Sequence, residues 1–155
     1  MLVSILPYTP SLASKFKDLN VAWLEKYFFV EEKDIQLLND CKNTIINKGG
    51  FIFFAEYKHK IVGCFSFIKI DAKTYELGKM AVDEEFQGLK IGQHLLTFAI
   101  EFAKKANWDK IILYSNTKLT HALYLYRKFG FVEIALEKEL PYLRSDIKME
   151  LILNT

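Results

Sequence analysis

A short segment in the middle of the chain places two glycines and a lysine at the predicted start of a helix. It reads Gln87-Gly-Leu-Lys-Ile-Gly92 and follows an extended apolar stretch. The first turn of a helix has about four backbone N–H groups without intrahelical partners, and it carries the positive end of the helix dipole. Because Gly88 and Gly92 let the backbone approach a ligand closely and Lys90 adds a positive charge, the segment predicts a pyrophosphate site. Taken alone, the same residues also fit a plain turn into a helix.

A second segment, Ala122-Leu-Tyr-Leu-Tyr-Arg-Lys-Phe-Gly-Phe131, joins a helical pattern to a glycine that ends the helix. It follows a short apolar strand that ends at Ser115-Asn116. Two other nucleotide-binding patterns, GxxxxGK[ST] and GxGxxG, are absent from the sequence. Folds that bind nucleotides through those loops are therefore disfavoured.

The elements that would position these segments follow from hydrophobic periodicity and turn residues. The predicted strands are Leu2–Leu6, Phe51–Tyr57, Ile61–Ile70, Thr74–Val82, Lys110–Tyr114, Phe131–Leu136 and Asp146–Leu151. The predicted helices are Ser11–Asn20, with Ser11 as the cap, Glu31–Asn47, Ile91–Asn107 and Leu119–Phe129. The order βααβββαβαββ predicts an α+β fold, in which a mixed, mostly antiparallel sheet of about seven strands has flanking helices. Residues 1–155 are predicted to form one domain.

Composition excludes several classes of protein. The chain has 51% apolar and 26% charged residues and a net charge of +2 without a basic stripe, so a dedicated nucleic-acid binder is disfavoured. No apolar run approaches the roughly 18 residues of a membrane span, and the N-terminus does not resemble a signal peptide. Two cysteines and three histidines lack ligand spacing, so no metal is expected, although a disulfide is not excluded. We expect a cytoplasmic protein.

The two segments together resemble the GNAT superfamily of N-acetyltransferases. Its acyl-CoA loop, Arg/Gln-x-x-Gly-x-Gly/Ala, is matched by Gln87–Gly92, and its later signature, Ala-x-x-Leu-Tyr-x-Lys-x-Gly-Phe, is matched by Ala122–Phe131. The element order also matches, so the resemblance covers nearly the whole chain. It implies a single acyl-CoA N-acyltransferase domain that moves an acetyl group from acetyl-CoA to a primary amine. Lys90 stands where the family usually has a glycine, and we expect it to serve there with a negative φ.

The resemblance also implies roles for individual residues. Tyr126 takes the general-acid position that protonates the coenzyme A sulfur, and Glu76 the general-base position that some members use. Alternatively, Tyr126 is only a packed aromatic residue of the core, and Glu76 is only a solvent-facing residue at the edge of the sheet. Alternation would place Glu76, Gly78, Met80 and Val82 on one face of the strand unless a bulge intervenes. The cofactor-binding residues so implied are Met80, Ala81, Val82, Gln87, Gly88, Leu89, Lys90, Ile91, Gly92, Gln93, Asn116 and Tyr126.

The acceptor side is harder to interpret. The regions that wall it in the family contain aromatic and charged residues, namely Trp23, Tyr27, Phe28, Phe29, Glu31, Glu32, Tyr142 and Arg144. Rings with nearby acids suit a cationic amine on a small molecule or peptide, but such rings are also ordinary core residues. His121 and Cys64 are expected to be structural. A non-catalytic acyl-CoA sensor and a nucleic-acid-associated protein remain alternatives, and the resemblance leaves a homodimer open; neither nucleic acid nor a membrane is the expected partner.

Overall fold

The computed structural model describes residues 2–140 and 142–153. Its seven strands form one sheet in the order β1-β2-β3-β4-β5-β7-β6. The strands are β1 (Val3–Pro7), β2 (Phe51–Tyr57), β3 (Lys60–Asp71), β4 (Thr74–Val82), β5 (Lys110–Ser115), β6 (Val132–Ile134) and β7 (Ile147–Ile152). The helices are α1 (Ala13–Tyr27), α2 (Glu32–Asn39), α3 (Ile91–Lys105) and α4 (Thr120–Lys128). Every strand pair is antiparallel except β4 with β5. The predicted α+β architecture is confirmed.

The central meander forms because its strands are rich in aromatic and β-branched residues and its turns are short. Lys58 and His59, which connect β2 to β3, both have positive φ angles, of 49° and 64°. This is the backbone of the two-residue turn whose twist matches that of a hairpin. The tight connection predicted at this point is therefore present.

Helices cover both faces of the sheet. On one face α3 buries a stripe of residues at spacings of three and four, comprising Ile91, Leu95, Leu96, Ala99, Ile100 and Ala103. Burying one large aliphatic side chain contributes roughly 1.5–3 kcal/mol, so this stripe holds α3 firmly on the sheet. On the other face α1 and α2 bury Phe16 and Leu38 against Ile52, Phe54 and Cys64.

The N-terminal helices differ from the prediction. Helix α1 starts at Ala13 after a 3-10 turn whose cap position is Thr9, so Ser11 does not cap it, and it continues to Tyr27. It runs through Asn20 because that side chain is buried and donates to the carbonyl of Phe16 and to Sγ of Cys64. The predicted helix Glu31–Asn47 is interrupted at Asp40, beyond which Lys42–Ile46 forms a π-helical turn.

Among residues 2–140 and 142–153, no helix is both long and apolar enough to cross a membrane. Cys41 and Cys64 are both buried free thiols, so they form no disulfide.

Candidate active site

A cleft opens where β4 and β5 separate. The two strands pair in parallel only from Thr74 to Glu76 on β4, and beyond this point β4 pairs only with β3 and β5 only with β7. The gap is part of a cavity of about 610 Å³. The start of α3 and one side of α4 line one half of it, whereas α1, Arg144 and Ser145 line the other half. Most of the predicted cofactor-binding residues lie along this cavity.

A bulge in β4 determines which side chains reach each half of the cleft. Cys64 pairs with Ala81 and Ser66 pairs with Gly78, so β4 carries one residue more than β3 between these pairs. Lys79, inside the bulge, has a φ of 51°. As a result, Met80 and Val82 pack with Leu77 on the α3 face. Glu76 and Gly78 do not share a face with Met80 and Val82, because a bulge, the exception that the prediction had left open, is present.

The loop between β4 and α3 presents a row of free backbone donors. The first N–H of the helix with an acceptor is that of His94, which donates to the carbonyl of Lys90 over 3.1 Å. Within the described chain, the N–H groups of residues 88 to 93 donate to no other protein atom. The first turn of α3 contains no acidic residue, so the positive end of its dipole is not neutralised by one there. This arrangement suits an anionic ligand.

Lys90 departs from the expected geometry. Its φ is 62°, in the left-handed region, and not the negative value expected from its side chain. A non-glycine residue in this region costs on the order of 1–3 kcal/mol, which explains why a glycine is usual here. Gly88 has a φ of 85°, and a Cβ built on Gly88 or Gly92 would meet nothing within 4 Å. The space in front of the α3 N-terminus is therefore open.

Two of the predicted residues lie away from the cavity surface. Among the residues that the structure describes, Leu89 packs against the apolar cluster under α3 and does not line the cavity. Glu76 is also set back, but its Oε2 atom lies 3.7 Å from the position that a Cβ on Gly78 would take, and Gly78 does line the cavity. Burial raises the pKa of Glu76, an effect opposed by the charges of Lys79, Lys33 and Lys148. A carboxyl beside the cavity whose pKa is raised is a stronger base than an ordinary glutamate, which suits a proton acceptor.

Tyr126 lines the cavity from α4, whereas Tyr124 on the other side of that helix is 63% exposed. The ring of Tyr126 packs 5.8 Å from the ring of Phe131, measured between centroids. Its hydroxyl has no hydrogen-bond partner in residues 2–140 and 142–153. Burial raises the pKa of Tyr126 to about 12, so the phenol stays protonated at neutral pH and its proton is free to be donated.

Asn116 lies on the cavity wall with its amide already in use. Its Nδ2 donates to the carbonyl of Arg144 over 2.7 Å, and its Oδ1 accepts from the N–H of Lys118 over 2.9 Å. Asn116 thus fixes the end of β5 to the segment before β7. A contact with a ligand would have to come from its second N–H.

A buried charge network behind the cavity was not predicted from the sequence. Asp34 of α2 is fully buried; its Oδ1 lies 2.5 Å from Nζ of Lys79 and 2.8 Å from a guanidinium nitrogen of Arg144. Arg144 also pairs with Glu31 at 3.0 Å, and its guanidinium carbon lies 4.2 Å from the centre of the Tyr142 ring. Burial alone would raise the pKa of Asp34, but hydrogen bonds from Arg144 and Lys79 outweigh it and lower that pKa.

Only one local signal marks this network. Glu31 and Asp34 form a reciprocal capping box at the start of α2, and an acid three residues after a cap is a recognisable pattern. Nothing in the local sequence indicates that Asp34 also meets Arg144, which lies 110 residues later in the chain. Nor does it indicate the bulge that turns Lys79 toward α2.

Comparisons with known proteins agree with this geometry. Residues 16–131 match the model of the acetyltransferase (GNAT) family. A Dictyostelium discoideum N-acetyltransferase is 41% identical over 61 residues, which are 39% of this chain and 28% of that protein. The N-acetyltransferase YvbK of Bacillus subtilis is 32% identical over 101 residues, which are 63% of this chain and 65% of that protein. The chain thus spans less than two thirds of the length of these relatives.

Solved structures show the same fold over the whole chain. A GNAT-family acetyltransferase from Staphylococcus aureus Mu50 has a TM-score of 0.86 and 28% identity, with 99% of this chain and 100% of that chain covered. A putative acetyltransferase from Salmonella typhimurium, solved with its cofactor acetyl-CoA, has a TM-score of 0.74 and 16% identity, with 100% and 96% covered. Since the family model covers most of the chain and the structure has the fold of these neighbours, this chain belongs to the GNAT family of acetyltransferases.

Proposed function

We propose that this protein transfers an acetyl group from acetyl-CoA to a primary amine by direct attack of the amine on the thioester. The observation that carries the proposal is a single cavity, lined by Gly88 and by residues 90–93 with their free N–H groups, that also reaches Tyr126, whose hydroxyl has no partner among the described residues. The former suits a pyrophosphate and the latter a departing thiolate, which are the two anionic parts of this cosubstrate in the reaction. The acetyl-CoA found in the Salmonella typhimurium neighbour supports the same assignment.

The chain's own groups then have distinct tasks. The loop 87–93 and the α3 N-terminus bind the pyrophosphate of the cosubstrate. The backbone of Met80, Ala81 and Val82, which faces the gap left by β5, pairs with the pantetheine arm, and an N–H there can polarise the thioester carbonyl. These contacts fix the acetyl carbon beside the bulge, where the other half of the cavity opens.

The proton balance requires one donor and one acceptor. The amine nitrogen bonds to the acetyl carbon while the carbon–sulfur bond breaks, and Tyr126 donates its proton to the sulfur. Glu76 takes the proton that the nitrogen loses, either directly or through water. The raised pKa of Glu76 suits that task, and the raised pKa of Tyr126 keeps its proton in place until the thiolate forms.

The test is release of free thiol from acetyl-CoA in the presence of a panel of primary amines. We expect turnover by the wild type and a fall in kcat of about 100-fold in Tyr126→Phe, within the range for general-acid catalysis. Tyr124→Phe, on the exposed side of the same helix, is the matched control and should keep full activity. Binding of acetyl-CoA without turnover of any amine would indicate an acyl-CoA sensor and contradict the proposal.

A further inference from the structure

The side chains that line the half of the cavity opposite the glycine loop restrict the chemical class of the acceptor. We propose that the acceptor is a primary amine on an aromatic or apolar body that carries no second positive charge. The inference rests on the proposed acetyl transfer, because it describes the substrate of that same site. Three features carry it: the rings that line this half, the signs of its charges, and the positions of two lysines against the rings.

Three rings at the end of α1 line this half of the cavity. Trp23 lies 5.3 Å from Tyr27 and 5.7 Å from Phe28, measured between ring centroids, and all three are half-buried. The buried side chain of Leu24 extends the same wall. Since the α3 and α4 half suits the cosubstrate, an acceptor must approach along this wall. An apolar or aromatic body gains most from contact with it.

The charges lining the cavity have one sign. Its ionisable basic residues are Lys79, Lys90, His121 and Arg144, and no carboxylate from the described residues lines it. Neither of the acids that the sequence placed near the acceptor, Glu31 and Glu32, lines the cavity. The carboxylate of Glu31 already accepts hydrogen bonds from Arg144 and from the backbone N–H of Leu143. The buried carboxylate of Asp34 behind it is already paired with Lys79 and Arg144. Glu76, set back behind Gly78, is the acid assigned to the reacting nitrogen, so a second ammonium group would find no carboxylate of its own on the described cavity wall.

Two of the three rings already make cation–π contacts with lysines. Nζ of Lys118 lies 4.1 Å from the centre of the Phe28 ring, and Nζ of Lys26 lies 5.1 Å from the centre of the Tyr27 ring. Rings attract ammonium groups through their faces, so two of the three rings already have a cation in that position. Lys118 would repel an extra ammonium at Phe28, whereas Lys26, whose charge is balanced by Glu84 at 2.9 Å, occupies the position beside the Tyr27 ring. The rings would therefore bind the uncharged part of the acceptor by packing against it.

The experiment compares kcat/KM for 2-phenylethylamine with kcat/KM for 1,4-diaminobutane, measured as thiol release from acetyl-CoA by the intact chain. We expect the aromatic monoamine to be preferred by about 100-fold. Equal values, or a preference for the diamine, would overturn the inference while leaving acetyl transfer itself intact. Failure of acetyl-CoA to bind would instead contradict the proposed function.

Two substitutions at one ring sharpen the test. Phe28→Ala should raise KM for 2-phenylethylamine about tenfold without changing KM for acetyl-CoA. The neighbouring Phe29 is 58% exposed and outside the cavity wall, so Phe29→Ala is the matched control and should change neither value. Phe28→Asp should shift the preference toward the diamine by at least tenfold, because it supplies the missing carboxylate. Equal KM values in the two alanine variants, or no shift in the aspartate variant, would overturn the inference.

Discussion

The two halves of the cleft are built from different parts of the chain. The cofactor half consists mainly of backbone N–H groups in one continuous segment, residues 88–93, with space in front of Gly88 and Gly92. The acceptor half consists of side chains from α1, the β4 bulge and the segment before β7, and Asp34 of α2 holds Lys79 and Arg144 in place from behind the cavity. A backbone site needs only a local conformation, whereas a side-chain site needs the whole fold. The cofactor half can therefore be predicted from a local sequence motif, whereas the side chains of the acceptor half can differ according to the substrate.

The largest effect is expected in the acceptor half. Asp34→Ala removes the shared partner of Lys79 and Arg144, which leaves two buried cations without it. Breaking a buried ion pair in this way costs about 3–5 kcal/mol, and we expect that loss in the free energy of unfolding measured with urea. Asp40→Ala is the control, because among the described residues its exposed carboxylate accepts hydrogen bonds only from the side chain of Asn43. A loss below about 1 kcal/mol for Asp34→Ala would show that the acceptor half does not depend on this network.

The second effect belongs to the cofactor half. A Cβ at residue 92 would meet nothing within 4 Å, so Gly92→Leu should extend into the open space in front of α3, keep the stability and lower the acetyl-CoA affinity. We expect at least a 100-fold weaker Kd, or about 2.7 kcal/mol. Calorimetric titration of the variant with acetyl-CoA measures this Kd. The exposed Thr97→Leu on the same helix should bind as the wild type does; an unchanged Kd for Gly92→Leu would place the anion elsewhere.

A smaller effect concerns the carboxyl between the two halves. If Glu76 accepts the proton, kcat/KM rises as pH increases through its pKa, because only the ionised form is a base. Burial raises that pKa, so the rise should lie above the range of an ordinary glutamate, whose pKa is about 4.3. Glu76→Gln should lower the rate at neutral pH about tenfold and remove this step from the pH profile. A profile that keeps the step in Glu76→Gln would assign it to another group.

The smallest effect tests the backbone of the cofactor half. Lys90→Gly relieves the left-handed conformation, and after allowance for the flexibility of glycine it should raise the free energy of unfolding by about 0.5–1 kcal/mol. Lys90→Ala keeps the strain and should be neutral. Urea unfolding of the two variants measures the difference in their free energies of unfolding. Equal stability of the glycine and alanine variants would mean that the loop carries no strain at residue 90.

The fold followed from the sequence where periodicity was long and turns were marked. The limits of β4 were predicted correctly, and α3 begins where the predicted helix began, because apolar spacing changes from two to three and four after Gly88. The first helix was predicted to end at Asn20, whereas α1 continues to Tyr27 and the Asn20 amide is satisfied inside the helix and by Cys64. The break at Asp40 carries neither glycine nor proline, so the π-helical turn had no local marker.

The site divides in the same way. The loop 87–93 and Tyr126 were identified from contiguous motifs, and both lie along one cavity, although their roles stay predictions. The positive φ of Lys90 was missed because a side chain normally argues against it. The bulge at Lys79 and the pairing of Asp34 with Arg144 depend on contacts between distant segments, which no local spacing encodes.

Calorimetric titration of the wild-type protein with acetyl-CoA tests directly whether the cleft binds this cosubstrate. We expect a single site with a micromolar Kd, since the free N–H groups of residues 88–93, the α3 dipole and Lys90 all favour an anionic cosubstrate. The absence of any binding heat at millimolar acetyl-CoA, at several temperatures, would contradict it. The loop would then be a plain entry into a helix, and the cavity would belong to another ligand.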